Sequence, residues 1–180
     1  MLGMVQAPTE NSAVCWEFLS ELIERRLRYG EGLLCVVDGA KGLSKAISDV
    51  FNNKVMVQRC QWHKRENMVS YLPKNQQEKY RKKLQDAYNK DSYEGAKEAF
   101  LAIKKQLRTI NESAVKSLEE GFEETLTVQR LGMYRELKRS FTTTNILGSI
   151  MSLIGQKTDK VDFWKTSNQK QRRLQRLCFI

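Results

Sequence analysis

The sequence lacks the features of secreted and membrane proteins. Its four cysteines, Cys15, Cys35, Cys60 and Cys178, are dispersed over 180 residues and match no disulfide framework, which favours a reducing compartment. Cys15 and Cys35 lie in apolar stretches and are predicted to be core thiols. The uninterrupted apolar runs are far too short to span a bilayer, which takes about 20 residues. No cationic, apolar leader is evident in the sequence. We expect a cytoplasmic protein without membrane contact.

Histidine is also scarce, since His63 is the only one. Cys60 and His63 have the inner spacing of half a zinc site, but no second pair completes the tetrahedral set, so zinc is not favoured. A hydrogen-bonded core histidine is the simple alternative. No Ser-His-Asp or Cys-His-Asp set is evident, and residues 39–42 lack the spacing and the Lys-Ser/Thr ending of a Walker motif.

Positive charge is abundant and uneven. The net charge is +10, residues 54–83 hold nine basic and two acidic side chains, and residues 157–176 hold seven and two. Residues 91–125 have the opposite balance, with five basic and eight acidic side chains. Two local cationic segments favour a nucleic acid partner over a merely solvated set of helical faces.

Two groups of residues are candidates for nucleic acid contact. Arg59, Lys64 and Arg65 surround Trp62, a mixture that can stack on bases and hold phosphates. A core tryptophan beside a solvated basic face explains the same pattern. The cations near the C-terminus are expected to contact backbone phosphate without reading sequence; they are Lys165, Lys170, Arg172, Arg173 and Arg176.

The first part of the chain has an α/β pattern. A short apolar run at residues 33–37 ends in Asp38 and Gly39, which predicts a buried strand with a carboxylate at its carboxyl end, where open α/β sheets bind ligands. Further strands are predicted at residues 2–6 and 55–57. Helices are predicted from Asn11 or Ser12 to a stop at Gly30, and over residues 43–51.

A helical block follows the α/β part. Residues 64–137 contain no convincing strand, and their apolar positions recur at helical spacing up to Leu126. Pro73 closes the first helical face, and Ser92 lies in a capped start. This pattern predicts an all-α insertion.

Gly148 lies where a helix is predicted. Capping residues at 142–145 precede apolar positions at helical spacing, and Gly155 is the predicted stop. A glycine inside a helix costs about 1 kcal/mol relative to alanine. Close backbone packing or a kink would explain it, and so would the loss of a side chain that belongs at this position.

Several of these segments together resemble the bacterial Mutator-type insertion-sequence transposases, which are DDE enzymes. Residues 35–47 resemble the block of the second catalytic Asp, with Asp38 at its place. Residues 57–67 resemble the family's Cys-x2-His signature, with Cys60 and His63. Residues 143–145, ending in Asn145, resemble the third block, and residues 159–170 resemble the segment after it.

The resemblance implies a fold, a cofactor and partners. It implies a partial RNase H-like core over residues 1–72, a helical insertion over residues 73–140, and a return to the core over residues 141–180. It also implies an Asp-Asp-Glu triad that holds divalent metal, with Mg²⁺ expected, for strand cleavage and transfer. Cys60, His63 and Asn145 would support this site. The implied partners are DNA at transposon ends, further copies of the chain or an intact transposase, in a nucleoid-associated protein.

The sequence departs from the family pattern at two of the three carboxylates. The first Asp is expected upstream of Met1, and the Glu falls on Gly148. Glu136 and Asp159 do not lie at the matching position. Asp38 alone cannot fix two ions, so we expect a transposase fragment that does not cut or join DNA and folds marginally, because its sheet would keep an unpaired edge.

Two other functions fit the same residues. The chain could be a non-catalytic remnant that binds DNA or regulates an intact transposase. It could also be an unrelated α/β enzyme, such as a phosphatase, with Asp38 as metal ligand, although the further acids that such an enzyme needs are not evident.

Overall fold

The protein is mixed α/β and mostly helical. The computed structural model describes Gly3, Val5 and residues 11–158, apart from a few side chains of the last helix. The elements in chain order are α1 (Ser12–Glu24), β1 (Leu33–Val37), α2 (Lys41–Phe51), β2 (Val55–Arg59), α3 (Gln61–Ser70), α4 (Lys74–Tyr88), α5 (Tyr93–Leu107), α6 (Glu112–Glu119), α7 (Phe122–Thr125), α8 (Thr127–Arg130), α9 (Tyr134–Phe141) and α10 (Asn145–Thr158). A short 3₁₀ turn, Asn52–Lys54, precedes β2. Among the described residues, none of the helices combines the length and the hydrophobicity that a membrane span requires.

The chain divides into two compact units. The first contains Met1–Glu31, Lys41–Asn52 and Asn145–Ile180, and the second contains Gly32–Ala40 and Asn53–Thr144. The domain boundaries expected from the sequence, at residues 72 and 140, stay a prediction.

In the first unit, α1 packs against α2. The Asn11 side chain caps α1 by accepting the Val14 N–H at 3.0 Å, at one of the two positions, Asn11 or Ser12, that the sequence predicts. Leu19 and Leu22 of α1 are buried, as are Ala46, Ile47 and Phe51 of α2. Both helices therefore bury an apolar face.

The predicted end of α1 at Gly30 is wrong, because the helix ends at Glu24. Arg26 takes the left-handed conformation, with φ 67°, and the Leu27 N–H donates to the Leu22 carbonyl at 2.9 Å. This is the hydrogen-bond pattern of a Schellman motif, which closes a helix whichever residue takes the left-handed position.

The second unit contains a two-stranded parallel sheet. Leu33 pairs with Val55 at one end of the register and Val37 with Arg59 at the other. The strands predicted at residues 33–37 and 55–57 are confirmed, and β2 is two residues longer than expected. The strand predicted at residues 2–6 lies largely outside the described residues. Cys15 and Cys35, predicted as core thiols, are only half-buried, and burial raises the pKa of the Cys35 thiol.

Helices α3 to α9 complete the second unit around one apolar core. The predicted helical insertion is confirmed as helical, with no strand in the described residues between 64 and 137. Ser92 caps α5 by accepting the Gly95 N–H at 3.1 Å. The series predicted to run to Leu126 is broken at Gly121, where φ is 62°. The core comprises Met68, Val69, Leu72, Tyr80, Leu84, Ala87, Tyr88, Ala96, Phe100, Ile103, Leu107, Ala114, Val115, Leu118 and Leu126.

The last described helix, α10, runs past Gly155 to Thr158, so the predicted stop at Gly155 is wrong. Gly155 does not take the left-handed conformation that would end a helix. A glycine lowers helix stability but does not by itself end a helix.

Candidate functional site

Asp38 follows β1 directly and lies at the carboxyl edge of the sheet. Its side chain is exposed, and Oδ1 accepts the Ala40 N–H at 3.1 Å, which closes a tight turn over Gly39. Gly39 has φ 105°, a conformation that favours glycine. The turn therefore presents the carboxylate to solvent with most of its acceptor capacity free.

Arg59 ends β2 and packs against the Asp38 turn. Its side chain is only 9% exposed, and a Cβ on Gly39 or Gly121 would overlap its guanidinium group. Nη1 donates to the Glu120 carbonyl at 3.3 Å, and Nη2 lies 3.8 Å from Glu120 Oε2. Both glycines thus make room for one buried cation between the turn and the segment after α6.

Lys64 is a second buried cation on the same partner. It lies one turn into α3, is 2% exposed, and its Nζ donates to the Glu120 carbonyl and lies 3.9 Å from Glu120 Oε2. Burial and the neighbouring Arg59 lower the pKa of Lys64 to about 8, against the attraction of Glu120. We call Arg59, Lys64 and Glu120 the Glu120 clamp.

Cys60, His63 and Thr144 form a hydrogen-bonded cluster beside the clamp. The Cys60 N–H donates to the Val37 carbonyl at 2.7 Å, directly before Asp38. Cys60 is fully buried, and its Sγ accepts from the Thr144 N–H at 3.4 Å and from the Thr144 hydroxyl at 3.5 Å. The Thr144 Oγ1 also lies 3.2 Å from His63 Nδ1. The strand edge that carries Asp38 is thereby connected to the residues that precede α10.

Two buried glutamines, Gln58 and Gln61, connect β2 and the start of α3 to the segment of α7 and α8, and the sequence did not predict this contact. The Gln58 Nε2 donates to the Thr125 carbonyl at 2.8 Å, and its Oε1 accepts the Val128 N–H at 2.9 Å. The Gln61 Nε2 donates to the same Thr125 carbonyl at 2.9 Å, and the Gln61 N–H donates to the Thr142 carbonyl at 2.9 Å. The sequence feature that could have indicated it is Gln58, a polar residue directly after the apolar residues 55–57 of β2.

The third block lies at the start of α10. Asn145, the last residue of that block, is the first residue of α10 and is exposed, and its carbonyl accepts the Ser149 hydroxyl at 3.0 Å. Gly148 is helical, as predicted, and exposed, and a Cβ there would meet no described atom within 4 Å. Close backbone packing therefore does not explain this glycine within the described structure.

Most of the side chains around Trp62 that were predicted to contact nucleic acid are buried or half-buried. Arg59 and Lys64 are buried in the Glu120 clamp, so their side chains do not face solvent. Arg65 is half-buried, and its Nε lies 2.9 Å from Glu66 Oε1. Trp62 is 43% exposed, and its ring forms a T-shaped pair with the His63 ring.

The cations Lys165, Lys170, Arg172, Arg173 and Arg176 lie outside the described residues, as does Asp159. Glu136 is exposed in the first turn of α9 and belongs to none of these networks.

The donor set of the described residues does not fit a two-metal centre. Among the described residues, no group of three or more His, Cys, Asp or Glu side chains is placed to hold a metal ion. Asp38 offers one carboxylate, and Mg²⁺ is bound in proteins by carboxylates with near-octahedral geometry. The described residues alone therefore give no basis for a metal-dependent step.

Comparison with known proteins identifies the family. A model of the Mutator family of transposases matches residues 1–178, and the chain belongs to this family. It is 29% identical over 160 residues to the transposase for insertion sequence element IST2 of Acidithiobacillus ferrooxidans. The match covers 88% of this chain and 53% of that protein, so the chain spans about half the length of this curated relative. The family expected from the sequence motifs is confirmed.

Proposed function

We propose that this chain is part of the catalytic domain of a DNA transposase and acts in DNA transposition on transposon ends. In this proposal its α/β part belongs to an RNase H-like core, and Asp38 occupies the position of the second carboxylate. Family membership supports the role in transposition. The position proposed for Asp38 is supported by the parallel pairing of β1 with β2, because Asp38 lies at the carboxyl edge of this sheet.

The cluster of Cys60, His63 and Thr144 is the observation that carries the proposal. It joins both members of the Cys-x2-His signature to Thr144 of the third block, which lies 84 residues from Cys60 and 81 residues from His63. The Cys60 N–H also donates to the Val37 carbonyl, in the motif of the second Asp. Such a cluster stabilises the segments that the family's catalytic residues occupy. Its role is positional, since Cys60 is fully buried and the cluster is internally hydrogen-bonded.

We further propose that this chain does not cleave or join DNA. In the family pattern the third carboxylate falls on position 148, which is glycine. Asp38 alone cannot hold the pair of metal ions that activate the attacking oxygen and stabilise the leaving one. A non-catalytic role as a DNA-binding protein or as a regulator of an intact transposase follows as the second candidate, favoured by an exposed Gly148 that no packing requires.

The test combines DNA binding with nicking of a supercoiled plasmid in Mg²⁺. We expect the purified chain to bind duplex DNA and to leave the plasmid intact. Nicking that disappears in the Asp38→Asn variant would show that the chain is catalytic. Absence of DNA binding at low salt would contradict the role on transposon ends.

A second measurement addresses position 148 without relying on activity. If positions 38 and 148 belong to one triad, the Gly148→Glu variant should bind Mn²⁺ at least several-fold more tightly than the unchanged chain. Adding Asp38→Asn should abolish that gain, and Gly148→Gln is the matched control without the carboxylate. Equal Mn²⁺ affinity in all variants would remove the third-carboxylate assignment.

A further inference from the structure

The structure separates the nine basic residues of 54–83 into three groups. Arg59 and Lys64 are buried in the Glu120 clamp. Arg65 and Arg81 both pair with Glu66, each at 2.9 Å. The cations left without a carboxylate partner among the described residues are Lys54 and four residues of α4, namely Lys74, Lys79, Lys82 and Lys83. The local positive charge seen in the sequence is therefore displayed mainly by α4.

Three of these lysines form one stripe. Lys79, Lys82 and Lys83 have the i, i+3, i+4 spacing of neighbours on a helix, and we call them the α4 lysine stripe. The Lys79 and Lys83 ammonium groups lie 6.0 and 5.5 Å from the centroid of the buried Tyr80 ring, and Lys83 also donates to Gln106 of α5. Tyr80 and Gln106 thus fix two of the three stems.

The charges of the stripe are not neutralised within the described part of the protein. Glu78 pairs with Arg81 at 3.3 Å, and Asp86, the next carboxylate along α4, pairs with none of the three lysines. Like charges at this spacing destabilise a helix. An anionic partner outside the chain would relieve that repulsion.

We propose that the α4 lysine stripe binds the phosphate backbone of double-stranded DNA. The ends of the stripe are separated by four residues, about 6 Å along the helix axis. Successive phosphates of one DNA strand rise by about 3.4 Å each, so two or three phosphates match the length of the stripe. This inference rests on the proposed function and moves the DNA contact of residues 54–83 from Arg59, Lys64 and Arg65 to α4.

The experiment measures affinity for a duplex of about 30 base pairs of random sequence between about 50 and 300 mM salt. Two variants of equal charge are compared, both checked for an unchanged helical circular dichroism spectrum. The stripe variant carries Lys79→Gln, Lys82→Gln and Lys83→Gln. The control carries Lys54→Gln, Lys90→Gln and Lys116→Gln, which remove three exposed lysines elsewhere in the second unit.

The stripe variant should bind more weakly, and its slope of log affinity against log salt should become shallower by about 2 to 3, since each neutralised phosphate contributes about 0.9. The control should change the slope by less than about 1. A charge-retaining variant with arginine at positions 79, 82 and 83 should restore the slope. Equal losses of DNA affinity in both glutamine variants would show that net charge alone explains the effect, and would overturn only this inference. Absence of DNA binding by the unchanged chain would overturn the proposed function as well.

Discussion

The Thr144 Oγ1 lies 3.2 Å from His63 Nδ1, although the two residues are 81 positions apart in the chain. Thr144 also approaches Cys60 Sγ through both its N–H and its hydroxyl. All contacts are satisfied together if His63 Nδ1 carries the proton and donates to Thr144 Oγ1 while the hydroxyl donates to Cys60 Sγ. Thr144 is therefore the residue through which both members of the Cys-x2-His signature reach the third block.

Replacing Thr144 with valine tests this arrangement. Valine keeps the branched shape but removes the hydroxyl, so the Cys60 thiol and the His63 ring each lose a partner. We expect the free energy of unfolding in urea to fall by about 1 to 2 kcal/mol. Thr143→Val is the matched control, since the Thr143 side chain belongs to none of these contacts and should change stability by less than about 0.5 kcal/mol. Equal effects of the two substitutions would contradict a specific role for Thr144.

Gly39→Ala should disrupt the Asp38 turn. Alanine at a positive φ costs about 1 to 2 kcal/mol, and at this position its Cβ would also overlap the buried Arg59 guanidinium. We expect a loss of more than about 2 kcal/mol in urea unfolding.

Gly132→Ala separates the two causes. Gly132 has φ 70°, but a Cβ there meets no described atom within 4 Å, so only the backbone penalty of about 1 to 2 kcal/mol applies. If Gly39→Ala and Gly132→Ala destabilise the protein equally, Arg59 does not constrain the turn.

Much of the secondary structure was predictable because local rules determine it. Residues 33–37 and 55–57 were correctly predicted as strands from short apolar runs. The caps at Asn11 and Ser92 lie at helix starts that the sequence predicts, the first of them left open between Asn11 and Ser12. Gly30 and Gly155 were wrongly predicted as helix ends. In α1 the left-handed position fell on Arg26, and α10 continued through its glycine, which shows that backbone closure rather than residue type decides where a helix ends.

The composition of the site was less predictable because burial depends on distant segments. Arg59 and Lys64 were expected to face DNA, but the Glu120 carbonyl and carboxylate, 61 and 56 residues away, hold them inside. A sequence pattern cannot distinguish such a cation from a solvated one, because both follow the same local spacing. The predicted roles of Asp38, Cys60, His63, Asn145 and Gly148 stay predictions.

Gly148→Ala should stabilise the protein. The position is helical, exposed and open, so alanine should add up to about 1 kcal/mol to the free energy of unfolding. Gly95→Ala is a useful comparison, because a Cβ in that first turn of α5 would lie 3.0 Å from the capping Ser92 Oγ. We expect Gly95→Ala to gain less or to lose stability. A loss of stability on Gly148→Ala would show that the backbone at 148 does need glycine.

Lys64 should make stability rise with pH above neutrality. Its pKa is lowered from its usual value near 10.5 to about 8, first by burial and then by Arg59, so between these values the unfolded chain binds more protons than the folded one. Stability linked to Lys64 should therefore increase by about 2 kcal/mol between about pH 7 and 9.5. The Lys64→Met variant, measured by urea unfolding over the same range, should lack this increase, while Lys79→Met, which removes an exposed lysine, should keep it. The contrary outcome is a difference in the free energy of unfolding between the unchanged chain and Lys64→Met that stays constant with pH. It would mean that Lys64 remains charged in the clamp over this range, because Glu120 fully compensates the cost of its burial.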